Sequence, residues 1–180
     1  MHQKLVLLLP ALLAGCITSM DMGEAPEAMH LIGQCFEFKK NAFIYEGRCA
    51  DLTGFNENSE LCNSVQAVGQ GGFPSSWTVY LENREAFDKK QFDKLLFEKQ
   101  RTMLFEVPSG TQITISRVVH HGWGTIGRYW AVRGSITSGG TEMEIELPSF
   151  SLVHPSPYWI NGKEENVPKP DAKYLVPCQP

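Results

Sequence analysis

Three groups of residues could do chemistry. The first is His120-His121-Gly122-Trp123-Gly124, two adjacent imidazoles beside an indole, with His154 further along. Adjacent side chains of a strand point to opposite faces, so both rings can address one ion only from a loop. The stretch reads as an exposed hairpin loop, which makes His120, His121 and Trp123 candidate binding residues, with no metal expected. The second group is Glu142, Glu144 and Glu146, alternating along one segment. Carboxylates two residues apart on a strand lie about 7 Å from each other, a spacing that glycoside hydrolysis can use. An acidic, solvated strand face explains the same pattern without catalysis. The third group is the cysteines, Cys16, Cys35, Cys49, Cys62 and Cys178.

Other reactive patterns are missing from the sequence. No Gly-x-Ser-x-Gly, Ser-x-x-Lys or His-Glu-x-x-His occurs, so no nucleophilic or zinc-hydrolase motif is present. No Cys-x-x-Cys pair offers zinc spacing. Gly69-Gln70-Gly71-Gly72 is not followed by Gly-Lys-Ser/Thr and reads as a connector, not a phosphate loop. No catalytic residue and no cofactor are assigned. The chain has 180 residues and a formal net charge of −4, with basic residues scattered. Nucleic acid is therefore not an expected partner.

The elements that hold these groups begin at an anchor. His2, Gln3 and Lys4 precede an apolar run, residues 5–13, that is too short to span a bilayer and is interrupted by Pro10. Leu13-Ala14-Gly15-Cys16 closes it. This arrangement resembles the lipobox of bacterial lipoproteins. The resemblance implies that residues 1–15 are a signal peptide removed before Cys16. It implies that the Cys16 thiol carries a diacylglycerol and that its new amino group is acylated. Each buried CH₂ of such chains contributes about 0.8 kcal/mol, so two or three chains anchor where one does not. Ile17 follows the cysteine, where many lipoproteins kept at the inner membrane carry Asp; this favours the periplasmic face of the outer membrane. Residues 16–30 then read as the lipidated cysteine and a flexible tether on the order of 20 Å long, and residues 31–180 as one β-rich domain.

An exported chain lives in an oxidising compartment. With Cys16 taken by lipid, four cysteines remain and allow three pairings. The favoured pairs are Cys49–Cys62, closing a polar loop, and Cys35–Cys178, tying the start of the domain to its end. Strands are expected at 35–39, 42–46, 65–68, 77–81, 104–107, 111–119, 128–136 and 142–147, where β-formers alternate with polar residues. A surface loop is expected at 51–63. One helix is expected from Asn83, as N-cap, to about residue 96–99. The proline-rich stretch from Pro155 reads as an extended tail held by Tyr158, Trp159 and Cys178.

Val107-Pro108-Ser109-Gly110-Thr111, then Ile113, Ile115 and Val118, is similar to the central pattern of bacterial SH3-like domains over residues 104–149. The resemblance implies a small bent β-barrel and binding more than catalysis. The function expected is that of a membrane-anchored envelope lipoprotein, a binding module for a protein or a peptidoglycan partner, of inhibitor or immunity type by analogy. The alternative is a glycan hydrolase working through Glu142, Glu144 or His121.

Overall fold

The computed structural model describes residues 17–48, 61–70, 72–91, 102–123, 128–149, 159–161 and 167–179. It is mainly β, with two short helices. The strands are β1 (Ile17–Asp21), β2 (Cys35–Phe38), β3 (Ala42–Arg48), β4 (Leu61–Ala67), β5 (Thr102–Val107), β6 (Gln112–Trp123), β7 (Arg128–Ser138), β8 (Thr141–Pro148), β9 (Ile160–Asn161), β10 (Lys169–Pro170) and β11 (Leu175–Pro177). Nine of them form one sheet in the order β11-β2-β6-β7-β8-β4-β3-β5, with β1 also on β6; β9 and β10 form a separate pair. The expected SH3-like barrel is not formed: among the described residues β5 and β11 end the sheet and do not pair. Its long strands, β6 and β7, run side by side from Thr114 to Gly122 instead of bending into a closed barrel.

Strand β6 carries the sheet. Its outer side is shared by two strands laid end to end: β2 pairs with residues 112–114, and β1 with residues 119–123. The expected tether is therefore structured from Ile17 onward. Between the two strands, the Met22 N–H bonds to the Val118 carbonyl at 2.8 Å, a 3-10 turn forms at Met29–Leu31, and the Gly33 N–H reaches the Ile115 carbonyl at 2.8 Å. Ala28 and Leu31 are buried in the main core, which explains why this polar-looking segment folds back.

Opposite β7, strand β6 carries a bulge. Ile115 faces Gly134 and Arg117 faces Arg133, so Ser116 is the extra residue. An inserted residue shifts the strand's parity. Ile113 and Ile115 point into the main core before the bulge, and Val118 does so after it. At this crossing Gly134 is obligatory, because a Cβ there would stand 2.6 Å from the Thr114 carbonyl oxygen and 2.7 Å from Ile113 Cγ1.

The main core lies on one face of the sheet, filled by Phe38, Ile44, Val65, Ile113, Trp130, Val132, Ile145 and Leu147. Trp159 covers it, fully buried, with its indole N–H donating to the Val65 carbonyl at 3.0 Å and its ring edge-on to Phe38 at 5.4 Å. The C-terminal segment is held as expected: β11 pairs with β2, and Cys35–Cys178 joins them across 143 positions. This disulfide is the one complete among the described residues. Cys62 is also disulfide-bonded, and Cys49, its expected partner, lies outside the described residues.

Helices α1 (Trp77–Glu82) and α2 (Arg84–Gln91) pack on the other face over Phe43, Tyr45, Phe73 and Met103. The strand expected at 77–81 is α1. Ser76 caps it, its Oγ accepting from the Val79 N–H at 3.2 Å, and Glu106 of β5 accepts the Trp77 N–H at 2.8 Å. These acceptors satisfy donors that a helix start leaves open, and they override the strand preference of Trp-Thr-Val-Tyr. Asn83 ends α1, its N–H bonding to the Tyr80 carbonyl and its amide donating to the Val79 carbonyl at 3.0 Å, and the expected helix starts directly after it as α2, the Asn83 carbonyl accepting from the Phe87 N–H at 2.9 Å. The remainder of the expected helix, past residue 91, lies outside the described residues, as do 51–60 of the expected loop.

Candidate functional site

The bulge at Ser116 decides where the histidines go. His120 and His121 lie within β6, 5% and 1% exposed, so the expected exposed hairpin loop at this point is buried strand. Trp123 ends the same strand. The two imidazole rings part to opposite faces. His120 lies against Trp130, on the side of the main core. His121 points to the other face, where its Nε2 stands 3.0 Å from Glu146 Oε2.

Glu146 is the centre of a polar cluster inside the fold. The same oxygen accepts from Arg133 Nε at 2.9 Å, and the three side chains are almost wholly buried. Arg133 and Glu146 face each other across the β7–β8 ladder, and Ser64 of β4 lies beside Glu146 on its other flank. The guanidinium also donates from Nη2 to Cys62 Sγ at 3.2 Å. A disulfide sulfur carries no proton, so its 3.5 Å approach to Glu146 Oε2 is a packing contact. Removing charges from water is costly, and the opposite charge and donor geometry offset that cost here. The carboxylate is thus occupied by two nitrogens and hidden from solvent. It cannot meet a glycosidic oxygen in this conformation.

From this cluster the sheet face opens to water. Arg133 Nη1 stands 3.9 Å from Glu144 Oε1, on the solvent side of Glu146, and Ser116 Oγ lies 3.4 Å from Glu144 Oε2. Beyond them is a shallow concavity of about 650 Å³ lined by Thr111, Gln112, Thr114, Ser116, Ser135, Thr137 and Glu142. Glu142 and Glu144 are exposed; Glu146 is not, so the expected solvated row of three glutamates holds for two. The lining is hydroxyl, amide and carboxylate, able to donate and accept along three neighbouring strands. Such a face suits a polar extended ligand held by several hydrogen bonds.

Among the described residues, no group of three or more His, Cys, Asp and Glu side chains is placed to hold a metal ion, and no helix is long and apolar enough to cross a membrane. His154, Tyr158, Cys16 and Cys49 lie outside the described residues. Two features of the site escaped the sequence reading: Arg133, and the concavity. Arg133 stands in a strand whose alternate positions are apolar, and it reads as a solvent-facing residue. A buried arginine is betrayed only by its partner, and Glu146 sits thirteen residues away.

Comparison of the chain with protein-family models, with curated proteins and with solved structures finds no significant match.

Proposed function

We propose that this chain is a lipid-anchored lipoprotein of the cell envelope. Its domain acts as a non-enzymatic binding module for a peptidoglycan strand or an envelope protein. The observation that carries the reading is the polar concavity on β6, β7 and β8, an exposed, hydrogen-bonding face with Glu142 at its edge. The sequence supplies the address: Leu13-Ala14-Gly15-Cys16 resembles a lipobox, and Cys16 is the residue that would carry the lipid. The concavity lies at the N-terminal half of β6, whereas β1 starts beside Trp123 at its other end. About nine strand residues, or roughly 30 Å, separate the two, so a partner can be engaged away from the anchor.

The hydrolase alternative loses His121 to the buried cluster and retains Glu142 and Glu144.

The test places a photo-activated cross-linker at Thr137 of the full chain in cells, beside purified-wall sedimentation of the same protein. Capture of one defined protein or of wall material, reduced by Thr114→Lys, is the expected result. Cleavage of purified wall that is lost in Glu142→Gln or Glu144→Gln would overturn the binding-module reading. Absence of labelled-palmitate incorporation in the wild-type chain, or incorporation that persists in a Cys16→Ser chain, would overturn the anchor.

A further inference from the structure

Resting on the lipid anchor just proposed, we infer that the domain docks directly on the bilayer, along the edge formed by β1 and the 3-10 turn after it. The occupant is the neutral lipid interface into which the Cys16 chains insert.

β1 begins at Ile17, the residue after Cys16, and pairs with β6 through all five of its positions. No flexible spacer intervenes, so the lipid and this edge of the sheet arrive at the membrane together. Lateral freedom of the domain is set by one residue instead of a dozen.

The edge displays exposed apolar side chains. Among the described residues six large apolar side chains are most exposed, and three of them lie here: Met20 at 44%, Met29 at 57% and Ile32 at 37%. The Ile32 N–H bonds to the Met29 carbonyl at 3.2 Å, and residues three apart in a 3-10 turn eclipse, so Met29 and Ile32 project to the same side. Ile32 reaches back toward the end of β1: its Cδ1 is 3.8 Å from where a Cβ on Gly23 would stand. Unbranched Met side chains suit a disordered interface because they adapt their shape. Scattered exposed apolar residues need no explanation by themselves; three on the edge that a lipidated neighbour delivers to a membrane do.

Asp21, Glu24 and Glu27 are the charged residues between Met20 and Met29, and Asp21 is paired with Arg117 Nε at 3.2 Å. An edge that carries acids and no free lysine or arginine gains nothing from an anionic surface. Docking is therefore apolar and does not depend on anionic lipid.

The experiment uses full-length lipidated protein in phosphatidylethanolamine–phosphatidylcholine vesicles, with amide hydrogen exchange followed by mass spectrometry. Beside it runs a lipidated variant carrying Met20→Gln, Met29→Gln and Ile32→Gln. All three positions are exposed, so the fold is kept; exchange in β7 checks this. Exchange across residues 20–32 is expected to be on the order of tenfold slower in the wild-type chain than in the variant. Added phosphatidylglycerol should leave that difference unchanged. Equal exchange in the two lipidated chains would overturn the docking while leaving the anchor intact. A wild-type chain that incorporates no labelled palmitate overturns the anchor and the docking together. Protection that grows with phosphatidylglycerol would overturn the apolar basis.

Discussion

Glu146 accepts from Arg133 and lies against His121 through one oxygen, in a space where none of the three reaches water. Such a group is asymmetric in energy: the complete pair contributes little over an apolar replacement, but half a pair leaves a bare charge. Glu146→Ala should therefore lower stability by about 3–5 kcal/mol, and Arg133→Met by a similar amount, read by urea unfolding. The double variant Glu146→Leu/Arg133→Met should lose much less than the sum of the two. Additive losses would show that the pair does not act as a unit.

Tyr80 makes a prediction in pH. Burial, and then the charge of Asp88, to which its hydroxyl donates at 3.2 Å, push its pKa up to about 12. The folded state keeps the proton longer than the unfolded chain, whose tyrosine titrates near 10. The stabilisation is complete below pH 10 and is lost as pH rises toward 12. Unfolding followed across that range should show alkaline weakening, and Tyr80→Phe should flatten it.

At this scale the pattern of core positions was largely legible, because Ile113, Ile115, Trp130, Val132 and Ile136 alternate. The bulge was not. Nothing in Ser116 itself marks an extra residue, and its insertion sends His120 toward the core and His121 to the Glu146 cluster.

Between elements, the Cys35–Cys178 bridge joins β2 to the end of β11, closing a loop of more than a hundred residues. On the chain-entropy model, removing it with Cys35→Ala/Cys178→Ala should cost about 4–5 kcal/mol, measured by denaturant unfolding. A loss below about 1 kcal/mol would mean that strand pairing alone sets the position of the tail. The pairing was readable in advance because it alone ties the two ends of the domain. Of the helices, α2 begins where Asn83 placed it, whereas α1 was not readable. Trp77 to Leu81 carries β-forming residues, and what makes them helical is Glu106, a carboxylate supplied from β5 across 29 positions. Local preference gives way where a tertiary acceptor satisfies a helix start.

Across the whole molecule, the alternation in residues 111–119, 128–136 and 142–147 made the run of three antiparallel strands, β6, β7 and β8, legible. The closure implied by the SH3-like resemblance is not formed. That run is the middle of a wider sheet: β1, β2 and β11, from residues 17–38 and 175–177, make one flank, and β4, β3 and β5, from residues 42–107, the other. Ladders between residues so distant in sequence form slowly, since chain closure precedes the contacts that reward it. With its disulfides intact, the domain should refold on the order of milliseconds to seconds, as stopped-flow tryptophan fluorescence would record. Microsecond refolding would mean that most of the stability resides in local hairpins.

The position of β1 has a mechanical consequence. It runs antiparallel to β6 over five residue pairs, with its first residue beside Trp123 and its last tied by the Asp21–Arg117 pair. A pull entering at Ile17, opposed by a partner held at the far end of β6, is directed along the strand axis. The backbone hydrogen bonds of β1 then bear that force together in shear, not one after another as in unzipping. Tension between an anchor and a captured partner would be borne by the longest strand of the sheet.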